Sequence, residues 1–322
     1  MGFFYGVNGK KLQRQYKDHL SDFKSWDQKA HAKDWLLYPE NLGSYLSLDE
    51  TAFCNGELYT ILTNKDAKGK KGSIVAIVKG TKAETVIKIL HEIPLKQRNK
   101  VKEVTLDMAG NMGLIVKKSF PNACLVIDRF HVQKLALDAL QEIRIKHRWE
   151  AIDFENDAIE DARSKSLKYT PEILPNGDTL KQLLARGRYL LYKPSNKWTE
   201  NQAKRSVILF KHYPDIEKAY KLCQNLSWIF NNTQDKTSAL TRLAKWDEKV
   251  RQAAFKSFNT ISRTMSVHYQ NILNYFDNRS TNASAEAFNA KIKAFRAQFI
   301  GVREFIQNFV FLKNNFKIHR LK

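Results

Sequence analysis

The hydrophobic period changes along this chain, and the order of those changes limits the fold more than any single residue. Tyr45 to Thr51 (YLSLDET), Leu58 to Asn64 (LYTILTN) and Ser73 to Gly80 (SIVAIVKG) are short β-branched and aromatic runs, each long enough for one strand. NKDAKGKKG, between the second and third, is a turn with Gly69 and Gly72. From Thr81 the period lengthens. Val86, Leu90 and Ile93 share one helical face, and Thr81 with Glu84 has the spacing of a capping box. VKEVTLDMAGN then returns to a strand that ends at Asp107. MGLIVKKSF is a short helix stopped by Pro121, and Ala123 to Val132 (ACLVIDRFHV) is another buried strand, running out at Asp128.

Strand, strand, strand, helix, strand, helix, strand is the order of a ribonuclease-H-like α/β fold, in which a three-stranded meander is extended by parallel strands with crossover helices, giving a mixed sheet. In that topology the fourth strand lies beside the first. Beyond Gln133 the strand signals vanish and helical periodicity dominates, with loops at Pro171–Pro175 and Lys193–Asn196. The expected organisation is therefore a basic lead-in over 1–41, a first part of the catalytic core over 42–132, a large all-helical insertion over 133–278, and a C-terminal helical part of the core over 279–322. The lead-in reads as helical or irregular, and its Lys24, Lys29 and Lys33 suit either a nucleic-acid contact or a solvated arm. Trp149, Trp198, Trp228 and Trp246, all in the insertion, are expected in its core.

Charge narrows the partners. The 322 residues hold 54 Lys and Arg against 33 Asp and Glu, a formal charge of +21 spread along the whole chain. A folded protein this basic suits a polyanion, and nucleic acid is the leading candidate. No apolar run is long enough to span a bilayer, so no membrane partner is expected. Cys54, Cys124 and Cys223 lie far apart without zinc-ligand spacing, and no secretory signal or myristoylation pattern is present, which points to a reduced, cytoplasmic setting.

The stretch from Ser280 to Arg303, STNASAEAFNAKIKAFRAQFIGVR, splits into two helical faces. Phe288, Ile292, Phe295 and Phe299 make an apolar stripe; Glu286, Asn289, Lys293 and Arg296 make the opposite one. Thr281 or Asn282 caps the start, and Gly301 follows where the helix should stop. An acid followed by bases on one face suits either a metal ion held beside a polyanion or a solvated face with charge pairs. Lys291 and Arg303 are off the stripe. Three acids stand at strand or helix ends that such a fold gathers: Asp49, Asp107 and Glu286. Glu50 and Asp128 compete for the same roles. A carboxylate set of this kind can hold two hard divalent cations while leaving room for phosphate oxygens and a water or 3′-OH.

SLDET, VTLDMAGN, FPNACLVIDRFHVQK and TNASAEAFNAKIKAFR resemble the successive blocks of the DDE transposases of the ISL-three insertion-sequence family, over about Leu46 to Arg303. DRFHV followed by a late TN-x3-E-x2-N-x-K-x-K block carries the resemblance jointly; SLDE alone is weak. It implies Asp49, Asp107 and Glu286 as the catalytic, metal-holding acids, with Asp128 as the alternative or supporting one. Arg129, His131, Asn289, Lys293 and Arg296 would hold DNA. The implied cofactor is Mg2+ in a two-metal site, with Mn2+ as substitute. The implied partners are transposon-end DNA, target DNA and a second copy of the chain in a synaptic complex, in a nucleoid-associated location. Family members carry an N-terminal zinc-binding and helix-turn-helix region whose cysteine pattern is missing here, so end recognition is expected in another polypeptide or in sequence outside this chain. The expected activity is metal-dependent cleavage at transposon ends and strand transfer. The alternatives are a non-catalytic DNA-binding remnant and another ribonuclease-H-like nuclease.

Overall fold

The computed structural model describes residues 25–54 and 56–283, together with Gly6, Asn8, Lys11, Arg14, Gln15, Asp18, His19, Ala285, Glu286, Asn289, Ala290 and Lys293. Two compact units emerge. The described residues up to Asp128 and from Ser280 onward form one, and Arg129–Arg279 forms the other.

The first unit is built on a six-stranded mixed sheet. Its strands are β1 (Trp35–Leu37), β2 (Tyr45–Cys54), β3 (Glu57–Asn64), β4 (Ile74–Lys79), β5 (Glu103–Leu106) and β6 (Cys124–Ile127), in the spatial order β1-β4-β3-β2-β5-β6. β1, β4, β3 and β2 pair antiparallel, while β2–β5 and β5–β6 are parallel. Gly56, at φ +81°, sits in the tight turn between β2 and β3, a conformation that costs other residues strain. The parallel strands are reached through α1 (Ala83–Leu90), α2 (Leu95–Arg98) and α3 (Gly110–Ser119). One sheet face buries Leu46, Leu48, Val104 and Leu106 against Val86 and Leu90 of α1, Met112, Ile115 and Val116 of α3, and Phe120. These side chains alternate along β2 and β5, so Ser47 and Asp49, and Glu103 and Thr105, turn to the other face.

Three expectations change. The lead-in contains a strand, since Trp35–Leu37 pairs with β4. The Thr81–Glu84 capping box does not form: α1 starts at Ala83 with Lys82 as its cap and no side-chain hydrogen bond. The Gly80 N–H is held by Leu58 O at 2.8 Å, so the chain is still tied to the sheet at the residue before Thr81. The last strand stops at Ile127, and Arg129 begins a helix, so DRFHV is a strand-to-helix junction.

The second unit is helical among its described residues: α4 (Arg129–Ser164), α5 (Leu180–Leu191), α6 (Glu200–His212), α7 (Pro214–Asn232), α8 (Lys236–Ala253), α9 (Asn259–Leu273) and α10 (Tyr275–Asn278). Thr179 and Thr199 close capping boxes with Gln182 and Gln202, which fix where α5 and α6 start. Trp246 is fully buried and donates to Leu222 O at 2.9 Å. The other tryptophans depart from the core expectation. Trp198 is half-buried, and Trp149 and Trp228 are 59% and 49% exposed. The Arg242 guanidinium lies 5.0 Å from the Trp228 ring centroid. Asp178 is completely buried, and it accepts hydrogen bonds from Arg186 and, at 2.9 Å, from Arg205. Burial by itself would raise its carboxyl, but the two guanidinium bonds outweigh burial and hold it below its ordinary value.

Candidate active site

The parallel ladders set out a row of carboxylates. Leu48 of β2 pairs with Leu106 of β5, and Leu106 pairs with Ile127 of β6. The next residue on each strand path is an acid: Asp49, Asp107, Asp128. The Asp128 N–H continues the ladder to Leu106 O at 3.1 Å. The carboxyl ends of adjacent parallel strands are where open α/β sheets place their ligands. Asp107 Oδ1 accepts from the Met108 N–H at 2.5 Å, which turns the chain into the loop before α3.

The segment carrying Glu286 is tied to this row. Ala283, Ala285, Glu286, Asn289, Ala290 and Lys293 are helical. Asn282 is fully buried at its start. Its N–H donates to Asp128 Oδ2 at 2.7 Å, its carbonyl accepts from the Glu286 N–H at 2.9 Å, and its Oδ1 accepts from Ser47 Oγ at 2.6 Å. Two turns on, Asn289 Nδ2 donates to Asp49 Oδ2 at 2.6 Å. Glu286 is exposed, and one of its oxygens lies within 4.8 Å of an Asp128 oxygen.

The charge balance here is negative. Burial first, then Asp107 and then Asp49, push the Glu50 carboxyl above its ordinary range, and among the described residues the buried Glu50 Oε1 has no hydrogen-bond partner. Lys65 is the nearby counterweight. Its ammonium donates to Thr105 Oγ1 at 2.8 Å and pairs with Glu103 at 3.4 Å. Burial lowers its pKa, while Glu103, Asp128 and Asp66 act in the opposite direction.

The sequence-derived residues thus fall into groups. Asp107 and Asp128 follow the last residues of β5 and β6, and Glu286 stands on the tied helix. Asp49, expected at the end of its strand, lies instead inside β2, paired with Ile61 of β3, because β2 goes on pairing with β3 after the parallel ladder to β5 has stopped. Asn289, expected on the DNA-holding face, is instead buried at 6% exposure and bonded to Asp49. Lys293 is helical and exposed. Arg129 and His131 belong to the first turn of α4, where Arg129 hydrogen-bonds Asn231 and lies 5.8 Å from the Tyr275 ring centroid. Lys24, Phe288, Lys291, Ile292, Phe295, Arg296, Phe299, Gly301 and Arg303 lie outside the described residues. Sequence reasoning missed Ser47 and Lys65 and used Asn282 only as a cap. Alternation along β2 puts Ser47 on the Asp49 face, and that is the one signal that could have found it.

A sequence model of the ISL3 family, described as transposase, matches residues 46–312. The chain belongs to the ISL3 family of transposases. It is 22% identical over 272 residues to the transposase for insertion sequence element IS1001 of Bordetella parapertussis, covering 84% of this chain and 59% of that protein. It is 23% identical over 265 residues to the transposase for insertion sequence element IS1557 of Mycobacterium tuberculosis, covering 80% and 56%. This transposase chain therefore spans somewhat more than half the length of those relatives. No solved structure matches it. Among the described residues no helix is long and apolar enough to cross a membrane.

Proposed function

We propose that this chain is the catalytic part of an insertion-sequence transposase, which cuts phosphodiester bonds at its element's ends and joins the freed 3′-OH groups to target DNA. Asp49, Asp107 and Glu286 are the catalytic acids in this reading, and Asp128 supports them. The observation that carries it is the β2–β5 register, which makes Asp49 and Asp107 neighbours while the Glu286 helix is bonded to Asp49 itself. A ribonuclease-H-like core over 42–132 and 279–322, interrupted by the helical 133–278, fits the strand order and the two units.

The donor set suits hard divalent cations. It is all carboxylate oxygen, and after burial the neighbouring Asp107 and Asp49 add to the upward push on the Glu50 carboxyl. Asp49, Asp107 and Glu286 would hold Mg2+, with Mn2+ able to substitute. When bound, two such ions supply the charge that activates the attacking oxygen and stabilises the leaving one. The chain's own residues do the positioning. Asn289 fixes one oxygen of Asp49, and Asp128 anchors the first turn under Glu286. Lys293 stands seven residues beyond Glu286, about 10 Å along the helix, where it can hold a neighbouring backbone phosphate. Arg296, Arg129 and His131 are further proposed DNA contacts.

End DNA, target DNA and a second copy of the chain in a synaptic complex are the proposed partners, with end recognition supplied by a further region or polypeptide. The test is cleavage and strand transfer on end-sequence DNA with Mg2+ or Mn2+, comparing the wild type with Asp49→Asn and Glu286→Gln. Loss of cleavage with DNA binding retained supports the reading. Cleavage by either variant at the wild-type rate rejects it.

A further inference from the structure

We propose that Asn289 is a positioning residue for the acidic site: it orients the Asp49 carboxylate for a divalent cation, and Asn282 is the pivot that makes this possible. The inference deepens the proposed function and rests on Asp49 being a metal ligand.

Among the described residues of the Glu286 helix, the buried ones are Asn282, Ala285 and Asn289, at 0%, 2% and 6% exposure and spacings of three and four. Glu286 and Lys293 are exposed beside them. Buried amides must find hydrogen bonds to offset their lost hydration. Both amides find them on one strand. Asn282 receives the Ser47 hydroxyl, and Asn289 donates to Asp49, two residues further along the same face of β2. Ala285, between them, lets the helix backbone approach the strand.

The two contacts differ in kind. The one at Asn282 joins Ser47, Asp128 and the Glu286 N–H in one node, and so it fixes where the helix begins. The one at Asn289 ends on a proposed ligand. It holds Oδ2 of Asp49 and so restrains the carboxylate about its χ2 bond. An amide suits this task because it donates without adding charge. A lysine here would neutralise Asp49, and an aspartate would repel it. Among the described residues Asn289 Oδ1, which is buried, has no hydrogen-bond partner, so the amide's one described bond is the one to Asp49. Residues that orient metal ligands in this way typically change affinity by about 10–100-fold when removed.

The experiment measures Mn2+ binding to the full chain without DNA, by calorimetry and by the electron-spin resonance of bound Mn2+, for wild type, Asp49→Asn, Asn289→Ala and Asn289→Ser. Circular dichroism and melting in EDTA report the fold. The proposal predicts that Asp49→Asn loses the site. Asn289→Ala stays folded and binds Mn2+ about 10–100-fold more weakly with an altered resonance spectrum, and Asn289→Ser, which keeps a donor, recovers part of the loss. If Asn289→Ala is unstable, Asn289→Ser decides alone: affinity and spectrum equal to Asp49→Asn, or intermediate, support the proposal. Wild-type Mn2+ affinity and spectrum in whichever of the two Asn289 variants is folded, with Asp49→Asn still defective, overturn it and leave Asn289 as packing. Equal Mn2+ binding by wild type and Asp49→Asn overturns the metal reading beneath it.

Discussion

Asp49 and Asp107 directly follow Leu48 and Leu106, which are the last paired residues of the parallel β2–β5 ladder. Two carboxylates are thereby set side by side where that ladder ends, by backbone hydrogen bonds alone. Side-chain repulsion cannot be relieved by sliding the strands, because a one-residue slip would turn Leu46 and Leu48 out of the core. The charge must be met by burial shifts, by a cation, or by both.

Glu50 responds to burial first and to these two charges second. Its folded carboxyl is raised above the ordinary 4.5, first by burial and then by Asp107 and Asp49. A raised acid favours folding only when protonated, so its contribution is present at low pH and turns into a penalty as pH rises through the folded value. In EDTA, Glu50→Gln should therefore melt higher than wild type at pH 7–8, with the gain shrinking as pH falls toward 4. Thermal melts across that range check it, and a lower melting temperature for the variant at pH 8 contradicts it.

The helical unit carries the opposite case. Asp178 is held below its ordinary 3.8 by Arg205 and Arg186 despite burial. A depressed acid stabilises the fold above its unfolded value and loses that contribution as pH falls through the lower folded value. Acid unfolding of residues 129–279 should begin below about pH 4 and shift to higher pH in Arg205→Ala. Trp246→Ala, which empties a fully buried site, should cost about 3–5 kcal/mol, measurable by urea unfolding.

How far the site was legible in the sequence depends on what each face packs against. β2 to β6 and their order could be read, because Leu46, Leu48, Val104 and Leu106 bury against apolar helices and leave a periodic trace. Trp35–Leu37 escaped because three residues are too few to show a period. Arg129 to Val132 read as strand because a short apolar run does not separate strand from helix. Asn289 was misplaced for a different reason. The face it buries against carries Ser47 and Asp49, so its burial leaves no apolar trace in the sequence. Trp149 and Trp228 were expected inside because size and apolarity usually decide burial, and here they do not.

Nucleic-acid binding by a chain of formal charge +21 should be steeply salt-dependent, since each neutralised phosphate releases counterions. Affinity for duplex DNA should fall at least about tenfold between 50 and 200 mM salt, read by fluorescence anisotropy. A flat plot of log affinity against log salt contradicts the reading of the charge. Lys293→Ala, at an exposed position, should weaken binding by about 1 kcal/mol or less and reduce the slope.

The most direct test of the central claim is metal-dependent cleavage of end-sequence DNA by Asp107→Asn and Asp128→Asn side by side, with folding and DNA affinity measured for both. The account predicts that Asp107→Asn binds DNA normally and loses at least about a hundredfold in cleavage rate, the scale of losing a group that stabilises transition-state charge. Near-wild-type cleavage by folded Asp107→Asn, with cleavage lost in folded Asp128→Asn, would contradict it.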